Sequence, residues 1–457
     1  MFFIQKIFNR VQLITSALFY TLLIFTFSKK LTIPTGEQLD DFKQSGFFNN
    51  QNTIDVTKLY QDARLANEKH TDGNYKEATK IHQNILEKIY TANNINESTW
   101  TPKFLSYYFG GFLGHRALIG VLLAAQKLGM ISPVTRILPY SGEVNEQQLK
   151  ILFNNNKDIE IVRSDSGHRF LEGPLNWHLS ERLWMIKTKQ GFLETQEFTD
   201  KVFTRLQELN INSVLELDHD YVFKSQQELE KLGLPKNQEF IALHVRKKTW
   251  NDFDIRQAKI EEYSASVREL LRLGYYVVQI GTDPQAPILI DKRVIVVQGN
   301  YDLPRFLTPY VLAKSKFLIN TCSGPTYLAA LFGTPVLQTN VIAFGKSAVN
   351  LSKNSIHIPK KLMYKGRELS LYELLSSAQG YSYKNIKFLN RSGFDLIENS
   401  SEEILNATRD ILQLIQDDSV ELSGMAAVKA IRNSLQVPTN GNIAPSYIEK
   451  NESWIRI

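Results

Sequence analysis

The stretch "EFIALHVRKKTWND", residues 239 to 252, joins an apolar strand to a group of charges. Its apolar run begins at Phe240 and suits a strand that is buried on both faces of a parallel sheet. His244 and Arg246 follow at the carboxyl end, and their spacing places both side chains on the same side of the strand. Burying a guanidinium without a partner is costly. The sequence therefore predicts that these side chains meet a ligand phosphate or, alternatively, an acidic group on a neighbouring helix.

The composition is that of a globular chain with an anionic partner. Its 457 residues suffice for two or three domains. The net charge of +6 favours a phosphate-bearing ligand or an anionic membrane surface. No basic tract is long enough to indicate nucleic acid. The single cysteine, Cys322, excludes a disulfide framework and a cysteine-based zinc site, and is compatible with a reducing compartment.

The N-terminus carries an apolar segment, "VQLITSALFYTLLIFTFS", residues 11 to 28, which contains no charge. As a helix it would be about 27 Å long, close to the thickness of a bilayer core. No small-residue cleavage site follows it, so a membrane anchor over residues 1–30 is predicted, with a cleaved signal or a buried helix as alternatives. Basic residues on both sides leave its orientation undecided.

A short helical module is predicted after a polar linker at residues 31–55. Within residues 56–95 two amphipathic patterns flank a turn at Gly73, and "GNYKEA", residues 73–78, resembles a tetratricopeptide unit. The chain contains no second copy, and one unit cannot bury its own apolar face. The hairpin is therefore expected to support the next domain or to dock a partner.

From residue 103 onwards, strand and helix patterns alternate. The predicted order is a strand at 103–109, a turn at 110–115, a helix at 116–130, a strand at 135–140, a helix near 144–155 and a strand at 159–163. Helical segments are predicted around 176–186 and 196–209, followed by a crossover at 215–237. This order is the βαβ rhythm of a parallel sheet with helices on its faces.

The same rhythm restarts at residue 239. Strands are predicted at 239–246, 275–281, 293–299, 316–320 and 335–339, and helices at 255–273, 303–314, 325–332 and 400–416. Ser400 or Ser401 is expected to cap the last helix, with Glu402 and Glu403 in its first turn. The prediction is an α/β protein with two Rossmann-like domains, 100–220 and 237–400, that face each other across a cleft, followed by a C-terminal helix and tail at 401–457.

A second candidate anion site lies in "NTCSGPTYLAALFGTPV", residues 320 to 336. A strand ends here and a Ser-Gly-Pro turn opens a helix with Pro325 at or near its first position, where N–H groups are unpaired. The turn contains Gly324, and hydroxyls come from Thr321, Ser323 and Thr326. The alternative is a plain turn capped by Ser323. Both this turn and His244 lie on the ligand-facing edge of the same predicted sheet.

These motifs resemble known glycosyltransferases. "HVR", residues 244–246, is similar to the His-x-Arg of fucosyltransferase-type enzymes, and "SGPTYLAALFGTPV" resembles the donor-domain helix start of heptosyltransferases and related GT-B enzymes. Over roughly residues 105 to 415 the chain is similar to an uncharacterised group of bacterial glycosyltransferases, which share the segments Arg256–Tyr263 and Gly274–Gly281 and the Ser-Gly turn. That group tends to have an arginine where this chain has Gln279, which puts a role for this position in doubt. The resemblance implies sugar transfer from a nucleotide donor, with the arginine of His-x-Arg on its diphosphate.

Other candidates are weaker. His115, in the Gly-rich turn "GGFLGH", resembles an acceptor-domain histidine of GT-B enzymes and is a candidate catalytic base; the alternative is a surface or capping residue. Gly281 ends a predicted strand and Asp283 follows it; both are candidates for contact with the donor, although Asp283 would also suit a turn cap. Asp218 and Asp220 have the spacing of a metal-binding Asp-x-Asp, but they precede a polar helix in the crossover.

The sequence thus predicts a membrane-tethered, metal-independent GT-B glycosyltransferase that needs no cofactor besides its nucleotide-sugar substrate. The acceptor would be a glycan or lipid-linked precursor of a capsule, a lipopolysaccharide or a similar surface glycan, at the cytoplasmic face of a bacterial inner membrane. Arg246, with His244 and Arg256, would neutralise the leaving diphosphate. Residues 56–95 would contact glycan-assembly proteins. The alternatives are a non-catalytic scaffold and a nucleotide-sugar epimerase.

Overall fold

The computed structural model forms two compact units, Met1–Asn96 and Glu97–Ile457. It describes residues 56–71, 74–92, 113–140, 143–154, 156–163, 185–189, 191–246, 255–281, 286–298, 304–377, 393–417, 422 and 424–455. The predicted anchor, the linker, the strand at 103–109 and Asp283 lie outside these residues. Within the ranges given, no helix combines the length and the apolar character that crossing a membrane requires.

The first unit contains a helical hairpin. Helix α1 spans Val56–Thr71 and helix α2 spans Tyr75–Ala92. Small and aliphatic side chains at helical spacing, such as Ala66 and Ile85, are fully buried. Lys88 donates to Asp62 at 3.0 Å and so links the two helices. The two helices confirm the predicted hairpin, while its likeness to a tetratricopeptide unit stays a prediction.

The centre of the second unit is a six-stranded parallel sheet. Its strands are β5 (Phe240–His244), β6 (Tyr276–Gly281), β7 (Val294–Gln298), β8 (Leu318–Thr321), β9 (Val336–Val341) and β10 (Ile356–Pro359). They lie side by side in the order β10-β9-β8-β5-β6-β7. Taken in chain order, this is the doubly wound order 3-2-1-4-5-6 of Rossmann folds. The predicted α/β class with a parallel sheet is confirmed, and the winding direction reverses between β5 and β8.

Four helices lie close to their predicted positions in this part of the chain, and one of them begins later than predicted. They are α7 (Ser264–Arg272), α8 (Pro304–Lys314), α9 (Pro325–Leu331) and α12 (Ser401–Gln416). The helix predicted at 255–273 begins late, because residues 255–259 are not helical and a 3₁₀ turn spans Ile260–Tyr263. A capping box of Ser400 and Glu403 starts α12, which confirms the predicted cap.

Among the described residues, the region between the hairpin and the sheet contains eight further elements. The helices are α3 (Leu113–Lys127), α4 (Glu143–Phe153), α5 (Thr195–Glu208) and α6 (His219–Lys231); the strands are β1 (Arg136–Tyr140) and β2 (Ile159–Arg163), which pair in parallel as predicted. The helix predicted around 176–186 is wrong at its last two residues, because β3 (Met185–Thr188) pairs antiparallel with β4 (Gly191–Glu194), while its part at 176–184 lies outside the described residues. Gly191, with φ of +100°, provides the left-handed turn that this hairpin requires.

The C-terminal region adds structure that the sequence patterns did not reveal. Strands β11 (Lys361–Tyr364), β12 (Arg367–Glu368) and β13 (Phe394–Ile397) form an antiparallel sheet, and short helices α10 and α11 span Phe344–Ser347 and Leu371–Ser376. Helices α13 (Met425–Ser434) and α14 (Pro445–Lys450) occupy the predicted tail. Ile443 bridges to His357 of β10, so the tail is an integral part of this unit.

Two hydrophobic clusters cover the sheet. Alternate residues of β5 enter different clusters: Ala242 joins one, and Ile241 and Leu243 join the other. The first cluster also contains Leu122 of α3 and Leu331 of α9. A Cβ on Gly120 would lie 2.5 Å from the Leu331 side chain, so α3 and α9 pack closely. Residues from both predicted domains thus share a core; the cleft between two domains stays a prediction.

Candidate functional site

The candidate site lies where the winding direction of the sheet reverses. Strand β5 ends at His244 and β8 ends at Thr321, and His244 is in register with Asn320. In doubly wound sheets, ligands bind outside the carboxyl ends of the strands at such a switch point. The sequence placed His244 at a strand end, and the strand order puts it beside the residues of the Ser-Gly-Pro turn.

His244 is held through one ring nitrogen. Its Nδ1 lies 2.7 Å from Oδ1 of Asn320 and 3.1 Å from Oγ of Ser323. Burial is the main cause that lowers the pKa of His244, and the charge of Arg246 lowers it further, while the hydrogen bond with Asn320 acts in the opposite direction. The neutral imidazole is therefore favoured. Sequence reasoning missed Asn320, although a polar residue that ends an apolar strand was an available signal.

Arg246 is held through its main chain. Its N–H donates to Oγ1 of Thr321 at 3.0 Å, and its carbonyl oxygen accepts from the N–H of Ala258 at 3.1 Å. The side chain is partly buried. Because Thr321 and Ala258 hold its N–H and its carbonyl, the backbone that carries the guanidinium is fixed at the carboxyl ends of the strands.

The segment that begins at Ile255 crosses the same edge of the sheet. Ile255 packs against Cys322, next to the Ser-Gly-Pro turn. At the other end of the segment, Tyr263 is buried, and its hydroxyl lies 2.6 Å from Oγ1 of Thr339. Together with the bond from Ala258 to Arg246, these contacts place Arg256 on the carboxyl edge of the sheet. The two arginines of the predicted donor site therefore come from neighbouring segments.

The Ser-Gly-Pro turn has the predicted helix start but lacks the side-chain cap that the alternative assigned to Ser323. Pro325 is at the first position of the seven-residue helix α9, and no side chain caps it. Ser323 donates instead to Oδ1 of Asn320 at 3.2 Å. Thr321 and Thr326 are buried, and both hydroxyls are bonded within the protein, so these residues hold the turn in place. Ser323 and Gly324 are partly exposed.

The Gly-rich segment that contains His115 lies against this turn. Helix α3 begins at Leu113, so Gly114 and His115 belong to its first turn. A Cβ on Gly114 would lie 3.0 Å from Cα of Gly324, which shows that the two backbones are in contact. The fold thus brings together two motifs that are far apart in the sequence. His115, the next residue, is partly buried.

Strand β6 contains two further positions that the sequence singled out. Gly281 ends β6, next to β5 in the sheet. Gln279 is buried in the same strand, where its Nε2 donates to the carbonyl of Ala286 at 3.2 Å and its Oε1 accepts from the N–H of Ile288 at 3.0 Å. The side chain at the doubtful position 279 therefore holds the segment at residues 286–288.

The Asp-x-Asp sequence has a structural role in this fold. Oδ1 of Asp218 accepts from the N–H groups of Asp220 at 2.9 Å and Tyr221 at 3.3 Å, which makes Asp218 the N-cap of α6. Asp220 is exposed in the first turn of this helix. Over the part of the chain that the structure describes, no three His, Cys, Asp or Glu side chains are grouped to hold a metal ion.

No protein-family model and no curated protein matches this chain. Among solved structures, it is similar to the ADP-heptose LPS heptosyltransferase II of E. coli, with 10% identity, a TM-score of 0.41 and coverage of 69% of this chain and 98% of that one. It is also similar to a family 9 glycosyl transferase of Veillonella parvula, with 14% identity, a TM-score of 0.35 and coverage of 53% and 82%. The E. coli heptosyltransferase WaaC with ADP gives 14% identity, a TM-score of 0.32 and coverage of 61% and 93%. At TM-scores this low, function has to be argued from the site.

Proposed function

We infer that the protein is a glycosyltransferase that binds a nucleotide-sugar donor at the carboxyl ends of β5 and β8. The observation that carries this proposal is the convergence of His244, Arg246 and Ser323 at the switch point of a doubly wound sheet. This is the place where such sheets bind nucleotides. These charged and polar groups come from two segments that follow neighbouring strands, as a ligand site between strands requires.

The diphosphate of the donor is the chemical group that this edge suits best. A guanidinium presents a planar fork of N–H donors that matches two phosphate oxygens, and it keeps its charge at any physiological pH. During transfer, the bond between the sugar and the diphosphate breaks and negative charge develops on the leaving oxygen. Arg246 and Arg256 would stabilise that charge from fixed positions, in the role that a metal ion has in other glycosyltransferases.

The acceptor is proposed to enter from the side of helix α3. Its first turn touches the Ser-Gly-Pro turn, so a hydroxyl bound there would be close to the donor. His115 is the candidate base for the proton of that hydroxyl. This arrangement corresponds to the GT-B type, with donor and acceptor bound by different segments.

The cellular setting is a second part of this proposal. The apolar residues 11–28 would tether the enzyme to the cytoplasmic face of a bacterial inner membrane, where precursors of capsule or lipopolysaccharide glycans are assembled. The helical hairpin would then contact other glycan-assembly proteins. Both statements rest on the sequence patterns.

A nucleotide screen tests the central proposal. Melting temperatures of the full chain are measured with GDP, UDP, ADP, CDP and CMP, each at several concentrations. One nucleoside diphosphate is expected to raise the melting temperature in a concentration-dependent way, because a ligand that binds only the folded state stabilises it. The matching nucleotide sugar is then incubated with and without glycan acceptors. Interconversion of the sugar without an acceptor would identify an epimerase, and no response to any nucleotide would refute donor binding.

A further inference from the structure

A row of polar side chains crosses four neighbouring strands of the sheet at one level. His244 of β5, Asn320 of β8, Gln338 of β9 and His357 of β10 are successive register partners. Register partners in a parallel sheet place their side chains on the same face. Asn320, Gln338 and His357 are at most 3% exposed. Buried polar groups are costly unless each finds a partner, so this polar row has a defined pattern of hydrogen bonds.

The far end of the row sets the direction of its hydrogen bonds. Nε2 of His357 lies 3.0 Å from the carbonyl oxygen of Val349, which can only accept, so Nε2 carries a hydrogen. Burial first, and then the charge of Arg432, lowers the pKa of His357 to about 3, so the ring is neutral and Nδ1 is bare. Oε1 of Gln338 lies 2.9 Å from Nδ1 of His357, and Nε2 of Gln338 lies 3.5 Å from Oγ1 of Thr326. Because a bare Nδ1 can only accept, we assign the Gln338 amide the opposite orientation, in which its nitrogen donates to Nδ1 and its oxygen faces the Thr326 hydroxyl.

The near end of the row fixes Asn320. Its Nδ2 donates to Oγ1 of Thr326 at 2.6 Å and lies 3.4 Å from the carbonyl oxygen of Ser323. A carbonyl only accepts, so the amide nitrogen of Asn320 must be on that side and its oxygen must face His244. That oxygen, 2.7 Å from Nδ1 of His244, requires a hydrogen on Nδ1. Ser323, which donates to the same oxygen, is compatible with this arrangement.

We propose that Asn320 is a positioning residue that holds His244 in the tautomer with hydrogen on Nδ1, so that Nε2 accepts a hydrogen bond from a hydroxyl of the bound nucleotide sugar. The identity of the ligand rests on the proposed function, whereas the tautomer is a property of the protein alone. In this arrangement Arg246 and Arg256 face the phosphates, and His244 recognises a sugar or ribose hydroxyl. A neutral imidazole with this tautomer cannot donate from Nε2 to a phosphate.

Nitrogen NMR tests the tautomer directly. The full chain is labelled with ¹⁵N in its histidine rings, and two-bond proton–nitrogen correlations are recorded without nucleotide. The chain has 8 histidines, so His244→Gln assigns the signals of His244 by their loss. Nδ1 is expected at the position of a protonated nitrogen and Nε2 at that of a bare one. A hydrogen on Nε2 instead of Nδ1 would overturn the proposal without reference to any ligand.

Three variants test the role of Asn320. In Asn320→Leu the acceptor is lost, and the two nitrogen shifts of His244 are expected to move towards each other as the tautomers mix. Asn320→Asp retains an acceptor at the same place and is expected to keep the hydrogen on Nδ1. Ser323→Ala is the matched control: it removes the 3.1 Å contact with Nδ1 of His244 and the 3.2 Å bond to Oδ1 of Asn320, but leaves the Asn320 acceptor in place, and it is expected to leave the tautomer unchanged. An unaltered His244 spectrum in a folded Asn320→Leu protein would refute the positioning role; if that variant does not fold, loss of the Nδ1 hydrogen in Asn320→Asp would refute it.

The ligand contact is tested by adding the nucleotide sugar that the screen identifies. The proposal expects Nε2 of His244 to remain without hydrogen in the complex. Protonation of both ring nitrogens on binding would show that His244 contacts phosphate and would refute the hydroxyl contact, while leaving the proposed function intact. If no nucleotide binds, the proposed function and the hydroxyl contact fail together, and the spectrum of the free protein still decides the tautomer.

Discussion

Replacement of Arg246 by alanine is the most direct perturbation of the proposed donor site. The side chain lies at the switch point, yet its residue is held in the fold by main-chain contacts with Thr321 and Ala258. Alanine keeps both of these contacts. We therefore expect Arg246→Ala to weaken nucleotide binding while the folded structure persists.

The size of the effect follows from the partial burial of the guanidinium. Removing one partner of a buried, charged hydrogen-bonding pair costs about 2 to 5 kcal/mol at interfaces. Arg246 is only partly buried, and solvent weakens charge interactions, so the lower part of this range, about 2 to 3 kcal/mol, applies. At about 1.4 kcal/mol per tenfold change, the dissociation constant of the nucleoside diphosphate is expected to rise about 30- to 150-fold. Arg246→Lys should recover part of this loss, because an ammonium lacks the forked donors.

Titration calorimetry with the nucleotide, alongside melting curves of the nucleotide-free protein, provides the assay. Arg293→Ala is a matched control, since Arg293 bonds Asp291 and the carbonyl of Leu271 before β7, away from the strand ends that form the site. The control is expected to keep nucleotide affinity. If Arg246→Ala also kept its affinity and instead melted at a lower temperature, Arg246 would be part of a structural ion pair and the reasoning would be refuted.

Three other outcomes are expected. Sugar transfer should persist in excess EDTA and in Asp220→Ala, because Asp218 caps α6 and Asp220 is exposed there; a loss that Mn²⁺ restores would point to a metal-dependent mechanism. Gly441→Ala should lower the free energy of unfolding by about 1 to 3 kcal/mol in chemical denaturation, since its Cβ would lie 2.6 Å from the carbonyl oxygen of Ala348 and from Nε2 of His357; an unchanged midpoint would contradict this packing. The full chain should fractionate with membranes and a chain beginning at residue 36 should not, because of the apolar residues 11–28; recovery of both in the soluble fraction would disprove the anchor.

Local patterns in the sequence determined most of the parallel sheet. Apolar runs of strand length predicted β5, β6, β7, β8 and β9 within a few residues, and the Ser400 capping box predicted the start of α12. These signals are local, because side-chain alternation and end capping depend on residues that are close in the chain. The position of His244 and Arg246 at a carboxyl strand end could be predicted for the same reason.

The tertiary structure decided which of these ends meet. The order of strands depends on long-range packing. This order makes β5 and β8 neighbours and makes Asn320 the partner of His244. Contact between Gly114 and Gly324 likewise joins motifs that no local pattern relates. The strand at Met185–Thr188 escaped prediction because its pairing with β4, more than intrinsic preference, determines its structure. The packing of the C-terminal helices escaped prediction because it depends on distant residues, as the bridge between Ile443 and His357 shows.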